Sequence, residues 1–351
     1  MRFPGFGGEW KTLFIDDVCP EFQSGKNIKA ENIKSEGLYP VYGGNGLRGY
    51  TDIYNHDGTY VLIGRQGALC GNVRLVEGRN YITEHAIAVS SSNEHCIYFL
   101  YYLFYKMNLG QYSDQSAQPG LAVNKLLRLK LHIPLKDEQT KIAKILTLLD
   151  TRIATQNKII EDLKKLKVAI RDRELNSFRK YYGLNMQISE MLDYEQPSKY
   201  IVSETEYLNN KELTPVLTAN KSFILGYTDE PFNIYDKGEC IILDDFTLDC
   251  KLVNFAFKVK SSAIKILTSK YNIILRYVYE YLNFFKLETT EHKRHYISEI
   301  EPMLIAYPDS NESVISFCDL MDKFDKKIEN ENKYLQSLLS QKQYLLSNMF
   351  I

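Results

Sequence analysis

The sequence predicts an α+β protein written twice: two mixed α/β globular units, each followed by a long α-helix, related by an internal pseudo-two-fold repeat. Three observations carry this. The stretch "TQNKIIEDLKKLK" at 155–167 has an echo in "ENKYLQSLLSQK" at 331–342, with Asn157 and Lys158 returning as Asn332 and Lys333, 175 residues on. Both stretches lie in segments with a heptad apolar spacing. Each segment follows a region of β-like runs and Gly- or Asn-rich turns that closes on a proline, Pro134 in one case and Pro308 in the other.

The first helix is predicted from about Lys136 to Ser177, uninterrupted by Gly or Pro, with Pro134 just before its start. Its seam reads Ile142, Leu146, Leu149, Ile153, Gln156, Ile160, Leu163, Lys167 and Ile170. Shifted by 175, it becomes Phe317, Met321, Phe324, Ile328, Glu331, Leu335, Leu338, Lys342 and Leu345. Apolar positions stay apolar and the two polar interruptions recur in phase, while Asp150 maps onto Asp325. A shared period is common among helices; a shared phase of exceptions marks a repeat. Each helix would be about 60 Å long at 1.5 Å per residue. Two such stripes of equal length can bury each other as an antiparallel coiled coil, with Gln156 and Glu331 setting register.

The globular units are expected over residues 1–134 and 181–308, with the helices over 135–180 and 309–351. In the first, "TYVLIG" at 59–64 and "AIAVS" at 86–90 read as strands, separated by turns such as "YGGNG" at 42–46. In the second, "CIILDD" at 240–245 and "NFAFKVK" at 254–260 read as strands, with a helix around 270–286. Both carry "GYTD", at 49–52 and 226–229, shortly after a Pro-Val pair. Both end in strand-like residues that run into the proline, "LKLHIP" and "EPMLIAYP".

At 351 residues, with 44% hydrophobic and 25% charged residues, the chain has the composition of a soluble two-domain protein. A net charge of −1 gives no global pull on a polyanion, so a nucleic-acid surface would need local basic residues or a partner's charge. The cysteines, Cys19, Cys70, Cys96, Cys240, Cys250 and Cys318, lack metal-ligand or redox spacing and read as reduced thiols. "MRFPGFGGEW" has no leader pattern and no apolar run reaches membrane-span length, which together point to a cytoplasmic protein.

Catalytic motifs are missing from the sequence. "GRQGALCG" at 64–71 lacks the Lys-Ser/Thr end of a phosphate loop, and the cofactor loop and catalytic tetrapeptide of amino-methyltransferases are absent. His85 beside Glu84, and His95 beside Glu94 and Cys96, would point to opposite faces of a strand and so not share a site. Asp244-Asp245 has no third carboxylate or lysine at nuclease spacing and reads as a turn, or as an acid that accepts from cytosine. No catalytic residue, metal or cofactor is expected.

What accumulates instead is polar and basic loop material. The first unit offers Asn45, Arg48, Arg65 and Gln66, then Tyr112, Gln115, Gln118, Asn124 and Lys125 in "GQYSDQSAQPGLAVNKL". The second offers Lys221 and the basic run His292, Lys293, Arg294, His295 and Tyr296. Arg and Lys suit guanine edges or phosphates, and Asn and Gln suit adenine edges, so these are the candidate DNA-binding residues.

This organisation resembles the specificity subunit of type I restriction–modification systems. Local phrases agree: "RFPGF" with "EW" at 2–10, "QPGLAVNKLLRLKLHIPLKDEQTKIAKILTLLD" at 118–150, "ILDDFTLDCKLVNFAFKVKSSAIKIL" and the closing "LLSNMF". Pro134, Glu138, Gln139, Ile142, Leu146, Leu149 and Asp150 form the most specific part. The resemblance implies two target-recognition domains that each bind one half of a gapped double-stranded DNA sequence, with the helix pair setting the gap. It also implies recruitment of two adenine methyltransferase subunits and of restriction subunits, no catalysis by the chain itself, and no membrane. Two departures lie in the second half: "PDSNESVISF" has no Glu-Gln pair, and the phrase "QPGLAVNKL" of the first unit does not recur before it. From the residues alone two other classes stay open, a coiled-coil scaffold whose globular units bind proteins or glycans, and a stand-alone nuclease or methyltransferase.

Overall fold

A computed structural model describes residue 2 and residues 5–114, 120–219, 222–270, 273–285, 287 and 295–350. The chain divides into two compact units, Met1–Lys158 with Asn332–Ile351, and Ile159–Glu331.

The first unit begins with β1 (Lys11–Phe14), α1 (Ile15–Val18), β2 (Phe22–Ser24), β3 (Tyr39–Gly43), β4 (Gly46–Thr51) and β5 (His56–Asp57). It continues with β6 (Tyr60–Gly64), β7 (Val73–Val76), β8 (Arg79–Ile82), β9 (Ala86–Val89), α2 (Ile97–Met107), α3 (Val123–Leu127) and β10 (Lys130–Ile133), then enters α4 (Lys136–Tyr182). In the second unit come β11 (Met186–Gln187), α5 (Ile188–Met191), β12 (Leu192–Glu195), β13 (Thr214–Leu217), β14 (Ile224–Thr228) and β15 (Cys240–Asp244). These are followed by β16 (Cys250–Val253), β17 (Lys258–Val259), β18 (Ile264–Ser269), α6 (Leu275–Phe284), β19 (Leu304–Ile305) and α7 (Asn311–Met349).

The sheets repeat in order, with one strand fewer in the second unit. One runs β2-β9-β6-β7 in the first unit and β12-β18-β15-β16 in the second. Another runs β4-β3-β8-β5 and β14-β13-β17, and a third pairs β1 with β10 and β11 with β19. β6 and β9 are continuous apolar runs, as is β15 up to Leu243, and almost every residue in them is buried. A helix seals the matching sheet in each unit, α2 on β6 and β7, α6 on β15 and β16.

The twice-written "GYTD" is a hairpin arm. Pro40 lies opposite Tyr50 and Val41 opposite Gly49; Pro215 lies opposite Tyr227 and Val216 opposite Gly226. A bulge follows the Val of each pair. An extra segment crosses each arm, bridging Lys34 to Tyr50 and Leu208 to Tyr227. A Cβ on Gly49 would come within 2.6 Å of Lys34 O, and one on Gly226 within 2.5 Å of Tyr207 Cβ. Glycine is retained in both because another chain segment passes there.

Around the long helices the heptad positions turn inward. In the first unit Ile142, Leu146, Leu149, Gln156, Leu335 and Leu338 are buried and Ile153 is half-buried. Ile142 and Leu146 join Leu346, Met349 and Phe350 in one core with the helix α2 aromatics Phe99, Tyr102 and Phe104. In the second, Ile160, Phe317 and Met321 are buried, and Leu163, Phe324, Ile328 and Glu331 half-buried. There the helices run antiparallel, since Lys167 meets Asp325 at 2.6 Å while Phe178 further along meets Phe317, their rings 6.1 Å apart. Glu331 is paired along its own helix with Lys327 at 2.5 Å.

Three expectations need revision. α4 extends beyond Ser177 to Tyr182 and stops where Gly183 takes φ +73° and donates to Arg179 O. "NFAFKVK" is a strand only at Lys258–Val259, because Phe257 is already engaged in a lone bridge to Tyr235. The helix predicted around 270–286 is the shorter Leu275–Phe284.

Candidate nucleic-acid interface

Four segments of the first unit converge on a cleft of about 250 Å³ lined by Gly44, Asn45, Arg48, Gln66 and His85. Asn45 sits in the turn of the β3–β4 hairpin and Arg48 on β4, whereas Gln66 follows β6 and His85 lies in the turn between β8 and β9. Backbone bonds hold these pieces together. Arg65 N donates to His85 O at 2.9 Å, Thr83 N to Tyr42 O at 2.9 Å, and Leu121 N to Arg65 O at 2.9 Å. The hairpin presses so closely that a Cβ on Gly44 would lie 2.8 Å from His85 O.

His85 and Glu84 were expected to face apart as strand neighbours. They occupy a tight turn, where alternation does not apply, and the ring Nε2 reaches Glu84 Oε1 at 3.2 Å while Nδ1 reaches Gln66 Oε1 at 3.0 Å. Arg48 lines the cleft and makes no ion pair among the described residues. Arg74 is the residue that sequence reading missed. It stands in the unremarkable strand "VRLV", yet its Nη2 would lie 2.9 Å from a Cβ on Gly46, beside the hairpin turn.

The remaining candidates fall into three groups. Tyr112, Asn124 and Lys125 are exposed, and Lys125 is tied to Asp114 at 2.7 Å. Gln115, Gln118, Lys221, His292, Lys293 and Arg294 lie outside the described residues. His295 and Tyr296 were expected in a basic loop but are buried in the second unit, at 2% and 0% exposure, which removes them from the surface. Their backbone N–H groups donate to Asp245 Oδ1 at 3.1 and 2.8 Å.

Asp244 and Asp245 are therefore structural. Asp244 Oδ1 accepts from Phe246 N and Thr247 N, closing the turn after β15. Asp245 is buried and lies 3.6 Å from the equally buried Lys265 ammonium. A base edge has no access to either carboxylate, so acceptance from cytosine is corrected to turn and ion-pair duty.

A second ordered locus sits where the first globular part enters α4. Arg2 reaches the buried Glu138 at 3.1 Å. Gln139, also buried, accepts from Cys96 N at 2.8 Å and donates to Pro134 O at 2.9 Å and towards His95 Nδ1 at 3.2 Å. Burial lowers His95 from the ordinary imidazole value, Glu94 opposes this, and Lys11 and Lys136 add to the lowering. A neutral ring with an open Nδ1 fits that role. Among the described residues there is no cluster of His, Cys, Asp and Glu able to hold a metal ion, and no helix long and apolar enough to cross a membrane.

Comparison with known proteins places this geometry in context. Residues 7–165 match the type I restriction modification DNA specificity domain. The type I restriction enzyme EcoprrI specificity subunit of Escherichia coli is 49% identical over 148 residues, 41% of this chain and 36% of that protein. The EcoR124I/EcoR124II specificity subunit, also from Escherichia coli, is 42% identical over 151 residues, 40% of this chain and 37% of that protein. The matches thus span little more than a third of those relatives' length. In fold the likeness extends throughout: a crystal structure of a type I restriction–modification S subunit from M. genitalium superimposes with a TM-score of 0.70 at 19% identity, covering 100% of this chain and 99% of that one.

Proposed function

We infer that the protein is a DNA specificity subunit, from the match of residues 7–165 to the type I restriction modification DNA specificity domain and from a fold shared along the whole chain with an S subunit. In this reading the two globular regions, 1–134 and 181–308, each bind one half of a gapped double-stranded target. The long helices, 135–180 and 309–351, serve as spacer and as seats for two methyltransferase subunits and for restriction subunits. The chain is a non-catalytic, cytoplasmic member of that complex.

The observation that carries the proposal is the donor-rich cleft of Asn45, Arg48, Gln66 and His85, which lies inside the matched segment on loops fixed by backbone hydrogen bonds. Loops held rigidly on a sheet suit readout of base edges better than mobile ones do. The test is footprinting of the full chain, reconstituted with its methyltransferase partner, on genomic duplex fragments. Protection of a two-part site is the expected result. One contiguous short site, or none, overturns the reading.

A further inference from the structure

We propose that the cleft between the Gly44–Asn45 turn and His85 reads a guanine in the major groove, with Arg48 and Gln66 as its hydrogen-bond donors. The inference rests on the DNA-binding reading and adds the base.

The argument is an accounting of donors and acceptors. Gln66 has one acceptor, Oε1, and it faces His85 Nδ1 at 3.0 Å. The other ring nitrogen faces Glu84 Oε1 at 3.2 Å, and a proton carried on Nδ1 engages the Gln66 acceptor. What Gln66 has left is its NH₂, a donor. Arg48 offers only donors, and its stem is laid against the hairpin, since a Cβ on Gly43 would sit 2.8 Å from Arg48 Cδ. Among the described residues no carboxylate pairs with it. Asn45, in the turn, can serve in either sense.

Guanine is the base that shows two adjacent acceptors, N7 and O6, in the major groove. Adenine and cytosine each need an acceptor for an exocyclic amine, whereas Arg48 has none and the Gln66 Oε1 is turned towards His85. Steric fixation strengthens the match. The Gly44 backbone lies against His85 and Gln66, and Arg65 N is bonded to His85 O at 2.9 Å, so the donors are presented by a frame that cannot easily yield. A phosphate would also accept from Arg48, and the experiment separates the two.

The full chain with its methyltransferase partner is used to select from a randomised duplex library, and the enriched motif is read. A guanine is expected in one half-site. Replacing it by 7-deazaguanine, which lacks the N7 acceptor, should weaken binding. Arg48→Ala should lower preference for that guanine by roughly tenfold to a hundredfold, leaving the other positions unchanged. Gln66→Glu, which exchanges the donor for an acceptor, should move preference at the same position away from guanine. Uniform weakening of all sequences by Arg48→Ala, with a shallower salt dependence, would assign a phosphate contact and overturn the proposal. So would an adenine at the position lost with Gln66, because that requires the amide to face the other way. A motif without guanine in either half overturns it while leaving the DNA reading intact, and no enriched motif overturns both.

Discussion

Lys342 Nζ lies 2.6 Å from Asp150 Oδ1 in the first unit, and Lys167 Nζ lies 2.6 Å from Asp325 Oδ1 in the second. Asp325 and Lys342 stand 175 residues after Asp150 and Lys167, so these are one contact made twice with the donor and acceptor helices exchanged. The seam lysines that interrupt the heptads each meet the repeat's aspartate on the opposite long helix. Their surroundings differ. Lys342 also lies over the rings of Tyr102 and Tyr105, and Tyr102 OH donates to Asp150, whereas Asp325 takes its second donor from Arg276. Breaking one partner should therefore cost stability in a way that exchanging both does not. Asp150→Ala is expected to lower unfolding free energy by about 1–2 kcal/mol, the worth of a charge-assisted hydrogen bond in a partly solvated site. Asp150→Lys with Lys342→Asp should recover much of the loss of either single change. Equal melting temperatures for Asp150→Ala and wild type would remove the pair from the packing of this unit.

The Asp325 site has a pH signature. Burial pushes its carboxyl up, but hydrogen bonds from Lys167 and Arg276 and their charges outweigh that and hold it below the ordinary aspartate value, despite Glu280 and Asp322 nearby. A carboxylate depressed on folding stabilises fully above its unfolded pKa, and the contribution is lost as pH falls through the folded value. The stability gap between wild type and Asp325→Asn should thus be constant at neutral pH and shrink below about pH 4. Denaturant titrations at several pH values would show this, and a gap unchanged down to acid conditions would count against it.

Much of the fold was legible because repeats expose themselves through their exceptions. The phase of Gln156 and Lys167 against Glu331 and Lys342, and the two "GYTD" phrases, mark equivalent elements in the letters alone. α2 was not read, since "IYFLYYLFYKM" is apolar nearly all round and gives no periodic contrast. The site was legible only in part. Asn45, Arg48 and Gln66 could be nominated by residue type, but their meeting with His85 depends on backbone bonds between segments far apart in sequence. Arg74 gave no local signal. His295 and Tyr296 misled because a run of basic and aromatic letters looks alike whether it caps a buried aspartate or lines a surface.

The Glu-Gln pair at 138–139, missing from the second half, has a structural meaning that can be tested. Gln139 ties Cys96 N, Pro134 O and His95 Nδ1 together, while the position 175 residues on is Val314, buried in an apolar cluster. Gln139→Leu keeps the volume but orphans a buried N–H and a buried carbonyl, for an expected loss of about 2–4 kcal/mol. Val314→Gln should be comparably damaging for the opposite reason, an amide buried without partners. Calorimetry of both variants would check this, and tolerance of Val314→Gln would mean that the second junction can form the same network.

The pair Asp245 and Lys265 tests the structural role assigned to the Asp-Asp motif. Both side chains are almost fully enclosed, and Asp245 also holds the N–H groups of His295 and Tyr296. Asp245→Ala leaves a buried ammonium with only the Tyr194 ring beside it among the described residues and should cost about 3–5 kcal/mol. Adding Lys265→Met should return a substantial part of it. If Asp245→Ala instead folds normally and only DNA binding falls, the carboxylate belongs to the interface after all.

Thiol chemistry supplies the last test. Burial raises Cys19, Cys240, Cys250 and Cys318 to about 12, far above neutral pH, and all four are enclosed in their units. The thiolate is the reactive form, so at pH 7–8 these four should resist alkylation in the native protein. Cys70 and Cys96 are only partly covered and should be modified first. Mass spectrometry after a timed iodoacetamide pulse, with and without denaturant, would follow each site. Rapid native labelling of Cys240 or Cys250 would show that the sheet of the second unit opens far more readily than its packing allows, because neither thiol can be reached without parting β15 and β16 from their neighbours.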